Sequence, residues 1–192
     1  MRIVSQEALR VIQTRVSITK LIEPAPNYAE LLEAFKAAAR APDHGKLQPW
    51  RFMVIEGEGL ELLSRIFLAA LVESNPAISP SVVEKTKNMP FRAPMIIVAV
   101  AKCQESSKVP KQEQIIACGA ATQNLLNALF ALNYGAVWRT GDLAYNKHVA
   151  QSLGLAESEE IIGFIYIGTP AMDIPEPPQV DATSIFSAWP VK

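Results

Sequence analysis

Apolar residues recur every three to four positions in two early segments, a spacing typical of amphipathic helices. The first segment predicts a helix that Ser5 caps and that ends near Gln13 or Thr14. In the second segment, Asn27 is followed three residues later by Glu30, which predicts a capping box at the helix start. Each helix is therefore expected to turn one apolar face towards a partner surface.

The rest of the chain predicts four strands and four more helices. The predicted strands are Phe52–Ile55, Met95–Ala101, Gly135–Trp138 and Glu160–Ile167. The predicted helices are Leu60–Val72, Val82–Asn88, Pro110–Leu132 and Asn146–Leu153. The strand Met95–Ala101 is apolar at every position, which indicates burial on both faces. Nearly the whole circumference of the helix Pro110–Leu132 is apolar or small, so we expect a central core or interface helix.

Short strands interspersed among helices favour an α+β domain. The chain of 192 residues has the length of a single domain, so we predict one domain over residues 1–192. Within it, residues 171–192 are proline-rich and predict an irregular C-terminal arm. Only 19% of the residues are charged, against about 25% in typical domains. A homodimer that hides part of the surface is the simplest explanation.

Charge and hydropathy exclude several classes of partner. The net charge is −1, with no basic field for nucleic acid or an anionic membrane. The longest apolar runs, Ile66–Val72 and Met95–Ala101, are far shorter than the ~20 residues that cross a bilayer. The N-terminal segment lacks the apolar stretch of a secretory signal, so we expect a cytoplasmic protein. Cys103 and Cys118 predict reduced, buried thiols, and with two histidines a zinc site is not expected.

Three polar clusters lie at the ends of predicted elements. The first is Arg15-Val16-Ser17, where a guanidinium beside a hydroxyl suits a phosphate. The second is the loop Arg40–Trp50, which holds Arg40 and His44 between two prolines. The third is the run Trp138-Arg139-Thr140, followed by a glycine that permits close backbone approach. Each cluster alone also fits a solvated surface segment, and Trp138 alone also fits the core.

The separated donors together indicate a planar, anionic cofactor. The chain has no glycine-rich dinucleotide fingerprint, Walker loop or nucleophile elbow. Ser17 and Ser184 have no base available beyond the two histidines, so hydrolytic catalysis is poorly supported. The residues by themselves indicate nothing more specific.

Several short blocks, in order along the chain, resemble the flavin-dependent nitroreductase family, and within it the small bacterial NAD(P)H nitroreductases. They span about residues 10–170. The blocks are Arg15-x-Ser17, Glu23-Pro-Ala-Pro26, Arg40-Ala-Pro-Asp-His44, Gln48-Pro-Trp50, Phe52-x-Val-Ile-Glu-Gly57, Pro90-Phe-Arg-Ala-Pro94, Val100-Ala-Lys-Cys103, Lys108-Val-Pro110, Trp138-Arg-Thr-Gly141 and Ile162-Gly-Phe-x-Tyr-x-Gly-Thr-Pro170.

The resemblance implies an α+β, nitroreductase-like fold with a central mixed sheet of four to five short strands flanked by helices. It also implies an intertwined homodimer with two FMN sites, each built by both subunits. By similarity, the segment Arg15-Val16-Ser17 holds the phosphate and ribityl end, and Arg40 contributes to the same pocket. His44 reaches it from the partner subunit, and Trp138, Arg139 and Thr140 follow the isoalloxazine edge.

The family's chemistry is a ping-pong reaction, in which NADH or NADPH reduces FMN and the flavin then reduces a nitroaromatic, quinone or similar acceptor. Flavin carries the redox chemistry, so no side chain is named as catalytic. Two departures favour looser FMN binding: Val16 replaces a common second arginine, and no Lys or Arg lies between Lys147 and Lys192. Two alternatives stay open, a flavin-binding protein without efficient turnover and a dimer that holds no cofactor.

Overall fold

The computed structural model describes residues 6–75, 77–105 and 108–189. Ser5, the predicted cap of the first helix, lies outside these residues, and so do residues 190–192 of the predicted arm. The helices are α1 (Gln6–Thr14), α2 (Tyr28–Ala38), α3 (Glu58–Ser74), α4 (Pro80–Lys87), α5 (Lys111–Ala131) and α6 (Lys147–Ser152). The strands are β1 (Leu21–Ile22), β2 (Trp50–Glu56), β3 (Met95–Lys102), β4 (Gly135–Arg139) and β5 (Glu159–Pro170).

All six predicted helices and all four predicted strands are present, with bounds that differ by a few residues. The capping box of α2 is confirmed, because the Asn27 side chain accepts from the backbone of Ala29 and Glu30 while Glu30 accepts from the Asn27 N–H. The two-residue strand β1 is an addition. It is too short to produce a periodic pattern in the sequence.

The five strands form one sheet in the order β1-β5-β3-β2, and β4 also pairs with β5. Every pairing among the described residues is antiparallel, so the predicted mixed sheet is wrong in this respect. A single crossover helix returns the chain to the same end of a sheet and gives parallel neighbours. Between β2 and β3 the chain instead runs through both α3 and α4. Strand β3 therefore begins at the end of the sheet where β2 finishes, and the two strands are antiparallel.

Side chains alternate between the two faces of the sheet and build two cores. On one face, Ile96, Val98 and Val100 of β3 pack with residues of α3, among them Leu63 and Phe67. The second core lies on the opposite face and joins the sheet to α2 and α5; its members include Met95, Ile97, Ala34, Ala38, Leu125 and Leu129. Helices therefore cover the sheet on both sides.

Strand β3 is the centre of this arrangement. Its residues Met95–Ala101 are all buried, which confirms the prediction of burial on both faces. Near its end, Cys103 packs with Cys118 of α5, and both thiols are free and buried, as predicted. Burial raises the pKa of Cys118 to about 12, so this thiol stays protonated at neutral pH.

An ion pair joins β2 to β5 across β3. The Arg51 guanidinium donates from Nε and Nη2 to the two carboxylate oxygens of Glu159, at 2.6 and 2.8 Å. These hydrogen bonds lower the pKa of Glu159 to about 2. The pair fixes the start of β5, whose middle residues Phe164 and Tyr166 line the site described below.

Two surfaces expose large apolar side chains. Helix α1 has no buried residue, and at least half of the surface of Leu9 and of Ile12 is exposed. Residues 171–189 contain a single 3₁₀ turn, Ala182–Ile185, and expose Ile185, Phe186 and Trp189. Among the described residues, no helix combines the length and the apolar character needed to span a membrane.

Candidate functional site

The segment Arg15–Ser17 lies beside β4. The Ile18 N–H donates to the Ala136 carbonyl at 3.0 Å, which ties this segment to the strand. Arg15 and Val16 adjoin Tyr134 and Ala136. Four residues along the same strand lies Thr140, about 13 Å away at ~3.3 Å per residue. The structure thus brings the first and third predicted clusters to one strand, at its two ends.

Alternation along β4 sends neighbouring side chains to opposite faces. Val137 belongs to the core beneath α3, and Arg139 lies on that face, with its guanidinium carbon 5.9 Å from the centre of the Tyr166 ring. Ala136 and Trp138 face the core beneath α5. The adjacent residues Trp138 and Arg139 therefore point into different layers of the protein.

Trp138 is held by packing and by one hydrogen bond. Its indole N–H donates to the Ile162 carbonyl at 3.1 Å. A Cβ on Gly163 would lie 2.1 Å from Nε1 of the indole, so the ring occupies the space that this glycine leaves open. On the other side the ring reaches Gly119 of α5. The interpretation of Trp138 as a core residue is thus correct for its side chain. The residue also belongs to the lining of the groove described next.

On the α3 face of the sheet, the end of β4 opens into a groove of about 630 Å³, a size that suits a small ligand. Its apolar wall includes Phe67, Leu71 and Phe164. Its polar lining comes from several elements and consists of Ser74, Lys85, Thr86, Arg92, Arg139, Thr140, Asp142, Asn146 and Tyr166. Arg139 and Thr140, two of the predicted site residues, therefore line a cavity.

Arg139 has an unsatisfied donor in this groove. Its Nε is buried and is the one such side-chain atom without a hydrogen-bond partner among the described residues. An unpartnered guanidinium N–H is costly unless an acceptor completes it. Burial raises the pKa of Tyr166, while the charges of Arg92 and Arg139 oppose that rise. Both guanidinium groups therefore act on the Tyr166 hydroxyl.

The second predicted cluster lies in the loop between α2 and β2. Arg40 follows α2 and is exposed, and the exposed His44 pairs with Glu113 at the start of α5, with 2.8 Å between Nδ1 and Oε2. Arg15 adjoins Leu126, thirteen residues further along this helix, or about 20 Å at ~1.5 Å per residue. Within one chain, the structure does not bring His44 to Arg15.

Sequence reasoning assigned no role to three residues of the groove, Lys85, Arg92 and Tyr166. Arg92 belongs to the block Pro90-Phe-Arg-Ala-Pro94, in which an arginine lies between two prolines. That position was a usable signal, because prolines fix the backbone around a charged side chain. Tyr166 also belongs to a quoted block, Ile162–Pro170, whereas Lys85 comes from an ordinary helix pattern and gave no signal. The described residues contain no cluster of three or more potential metal ligands.

Comparison with known proteins identifies the family to which this chain belongs. A model of the nitroreductase family matches residues 12–169. The chain belongs to the nitroreductase family. An Escherichia coli K12 protein named "Putative NAD(P)H nitroreductase YdjA" is 38% identical over 177 residues, which cover 89% of this chain and 96% of that protein. The expected resemblance to the NAD(P)H nitroreductases is therefore confirmed.

Solved structures agree with this assignment at the level of the fold. A nitroreductase-like family protein from Bacillus cereus superposes with a TM-score of 0.80 at 23% identity, covering 98% of this chain and 97% of that one. A Desulfovibrio desulfuricans nitroreductase homologue in complex with FMN gives 0.73 at 21% identity, covering 98% and 100%. The nitroreductase-like α+β fold is thus confirmed.

The contact between Gly163 and Trp138 gives a prediction for this nitroreductase. Gly163→Ala places a methyl group 2.1 Å from the indole nitrogen and should displace Trp138, with a loss of about 1–3 kcal/mol in unfolding free energy. Gly119→Ala is the matched control, since its Cβ would lie 4.0 Å from the same ring. Urea denaturation followed by Trp fluorescence measures both. Equal stability of the two variants would contradict the packing described for Trp138.

Proposed function

We propose that this protein is an FMN-dependent oxidoreductase that uses NADH or NADPH to reduce nitroaromatic, quinone or similar acceptors. Family membership supports an oxidoreductase, and the relative from E. coli carries NAD(P)H nitroreductase in its name. The D. desulfuricans neighbour is a complex with FMN. The finer elements of this proposal, namely the ping-pong order and the acceptors, rest on the resemblance of the sequence blocks.

The observation that supports flavin binding best is the buried, unpartnered Nε of Arg139 at the end of β4. The isoalloxazine ring system carries carbonyl oxygens and ring nitrogens that accept hydrogen bonds in its plane. Because Arg139 lines the groove, a rotation of its side chain would bring the buried Nε to an acceptor of this kind and would recover the cost of its desolvation. The donor set of the site thus fits the cofactor.

The roles of the other residues follow from their places along β4. Arg15 and Ser17 lie at one end and would hold the phosphate and ribityl group by charge-assisted hydrogen bonds. Val16 packs its side chain partly against the core, so its contact with the ligand would use the main chain. At the other end, Trp138, Arg139 and Thr140 would border the ring, with Trp138 contributing its backbone.

Arg40 would contribute to the same pocket, and His44 would come from the partner subunit of a homodimer. Within one chain, about 20 Å of α5 separates the position of His44 from that of Arg15. The exposed apolar residues of α1 and of residues 171–189 supply a surface for such a dimer. In this proposal each of the two FMN sites draws on both chains.

When bound, FMN supplies the redox chemistry, accepting a hydride equivalent from the nicotinamide and passing electrons to the acceptor. The protein's own residues bind and orient the ligands. Arg139 would hold the ring edge with its guanidinium, and the apolar wall of Phe67, Leu71 and Phe164 would limit water in the adjacent space. No side chain is required to transfer a proton in this scheme.

A visible spectrum of the purified protein tests the proposal. We expect a yellow dimer whose flavin is bleached under anaerobic conditions by NADH or NADPH and is reoxidised by a nitroarene or quinone. Stopped-flow absorbance of the flavin band measures both half-reactions. A protein that binds FMN but is not reduced would be a flavin-binding protein without turnover. A protein that binds no FMN would contradict the proposal entirely.

Arg15→Ala should weaken FMN binding by about 10- to 100-fold, because one charge-assisted contact contributes ~1.5–3 kcal/mol. Riboflavin, which lacks the phosphate, should bind the variant and the native protein equally. Fluorescence titration with both flavins measures the difference. Lys20→Ala, an exposed cation on the same segment, is the control. An unchanged FMN affinity in Arg15→Ala would refute the phosphate assignment.

A mixed dimer tests whether the sites are shared. Co-expressed chains carrying Arg15→Ala and His44→Ala, each with a different affinity tag, yield a purified heterodimer. If Arg15 and His44 act in one site across subunits, one of its two sites is intact and half of the FMN content is retained at native affinity. If both residues act within their own chain, both sites are damaged. Flavin absorbance per dimer separates the two results.

A further inference from the structure

Two cations of the groove have no role in the flavin contacts proposed above. Lys85 comes from α4 and Arg92 from the 3₁₀ turn Pro90–Arg92. Both elements precede β3 in the chain, whereas Arg139 belongs to β4. With Arg139 they place three cationic side chains in the lining, against the single carboxylate of Asp142. The groove therefore has a surplus of two positive charges.

Neither Lys85 nor Arg92 forms an ion pair within the part of the chain that the structure describes. Glu73 and Glu84, the carboxylates that adjoin groove residues in the sequence, have other partners. Glu73 pairs with His148 at 2.8 Å, and Glu84 accepts a hydrogen bond from the Asn88 side chain at 2.9 Å. Lys85 and Arg92 are thus available to a ligand.

Burial makes Arg92 the stronger of the two candidate contacts. Arg92 is half-buried, whereas Lys85 is exposed. Arg92 and Tyr166 both line the groove. A partly desolvated guanidinium and a phenolic hydroxyl are donors that suit a carboxylate or a sulfonate. The adjacent apolar wall, which includes Phe67 and Phe164, suits an aromatic ring.

We propose that this groove selects electron acceptors that carry a negative charge on an aromatic ring, with Arg92 as the main determinant and Lys85 as an auxiliary one. The inference rests on the proposed function, because it concerns the acceptor of the same site. The acceptor's ring lies against the apolar wall, and its carboxylate receives hydrogen bonds from Arg92 and Tyr166. Neutral acceptors of the same shape bind more weakly.

The test compares 4-nitrobenzoate with 4-nitrobenzyl alcohol, a neutral compound of similar shape. Binding to the oxidised, FMN-loaded protein is measured by isothermal titration calorimetry without NAD(P)H, so that no turnover is required. We expect 4-nitrobenzoate to bind at least about tenfold more tightly. Increasing ionic strength should weaken the binding of the anion and leave that of the alcohol unchanged.

Arg92→Gln should reduce 4-nitrobenzoate affinity by about tenfold and leave 4-nitrobenzyl alcohol affinity unchanged. Arg92→Lys keeps the charge and should retain much of the affinity, which separates charge from a folding defect. Lys85→Gln should cost about two- to fivefold, as is typical of an exposed charge. Lys87→Gln is the matched control on the same helix, because Lys87 is exposed and does not line the groove.

Three results would overturn the proposal. The first is equal affinity of the native protein for the two nitro compounds. The second is an Arg92→Gln variant that loses affinity for NADPH but not for NADH or 4-nitrobenzoate, which would assign Arg92 to the 2′-phosphate. The third is a loss confined to FMN against riboflavin, which would assign it to the cofactor. A protein that binds 4-nitrobenzoate selectively but shows no flavin reduction would refute the proposed function and keep the anion site.

Discussion

The fold depends on the hydrogen-bonding capacity of β5. This strand pairs with β1, β3 and β4, and most of it is buried, so its backbone groups must find partners within the sheet. Because β4 is held by β5, and the segment Arg15–Ser17 is held in turn by β4, the position of the phosphate-binding candidates is set by one continuous ladder. A site assembled in this way needs no rigid loop of its own.

Gly163 allows the residues of β4 and β5 to pack closely on one face of the sheet and to line the groove on the other. The indole of Trp138 takes the space above Gly163, and the hydrogen bond to Ile162 orients it towards α5. Trp138 thereby anchors β4 on one face, while Arg139 is free to enter the groove on the other. The large packing residue and the groove-lining residue are neighbours because a strand sends consecutive side chains to opposite faces.

Much of the fold was accessible from the sequence because the signals were local or strongly periodic. The capping box of Asn27 and the wholly apolar run of β3 each depend on a short segment, and both were predicted correctly. Strand direction was not, since it depends on how α3 and α4 together return the chain to the sheet. Among the residues that line the groove, Arg139 and Thr140 were predicted as site residues because they end a strand in an unusual way. Arg92 was overlooked although its place between two prolines was a usable signal, and its electrostatic effect on Tyr166 exists only after folding brings the two together.

Helix α5 has a consequence for how this protein can vary. One end of the helix holds His44 through Glu113, and the other lies beside Arg15 through Leu126. Insertion of a single residue between them would turn one end against the other by about 100°, as well as lengthening the helix. Related chains should therefore differ in length within loops such as 103–110, and keep α5 at a constant number of residues. Substitutions along α5 are therefore compatible with the site, whereas insertions and deletions are not.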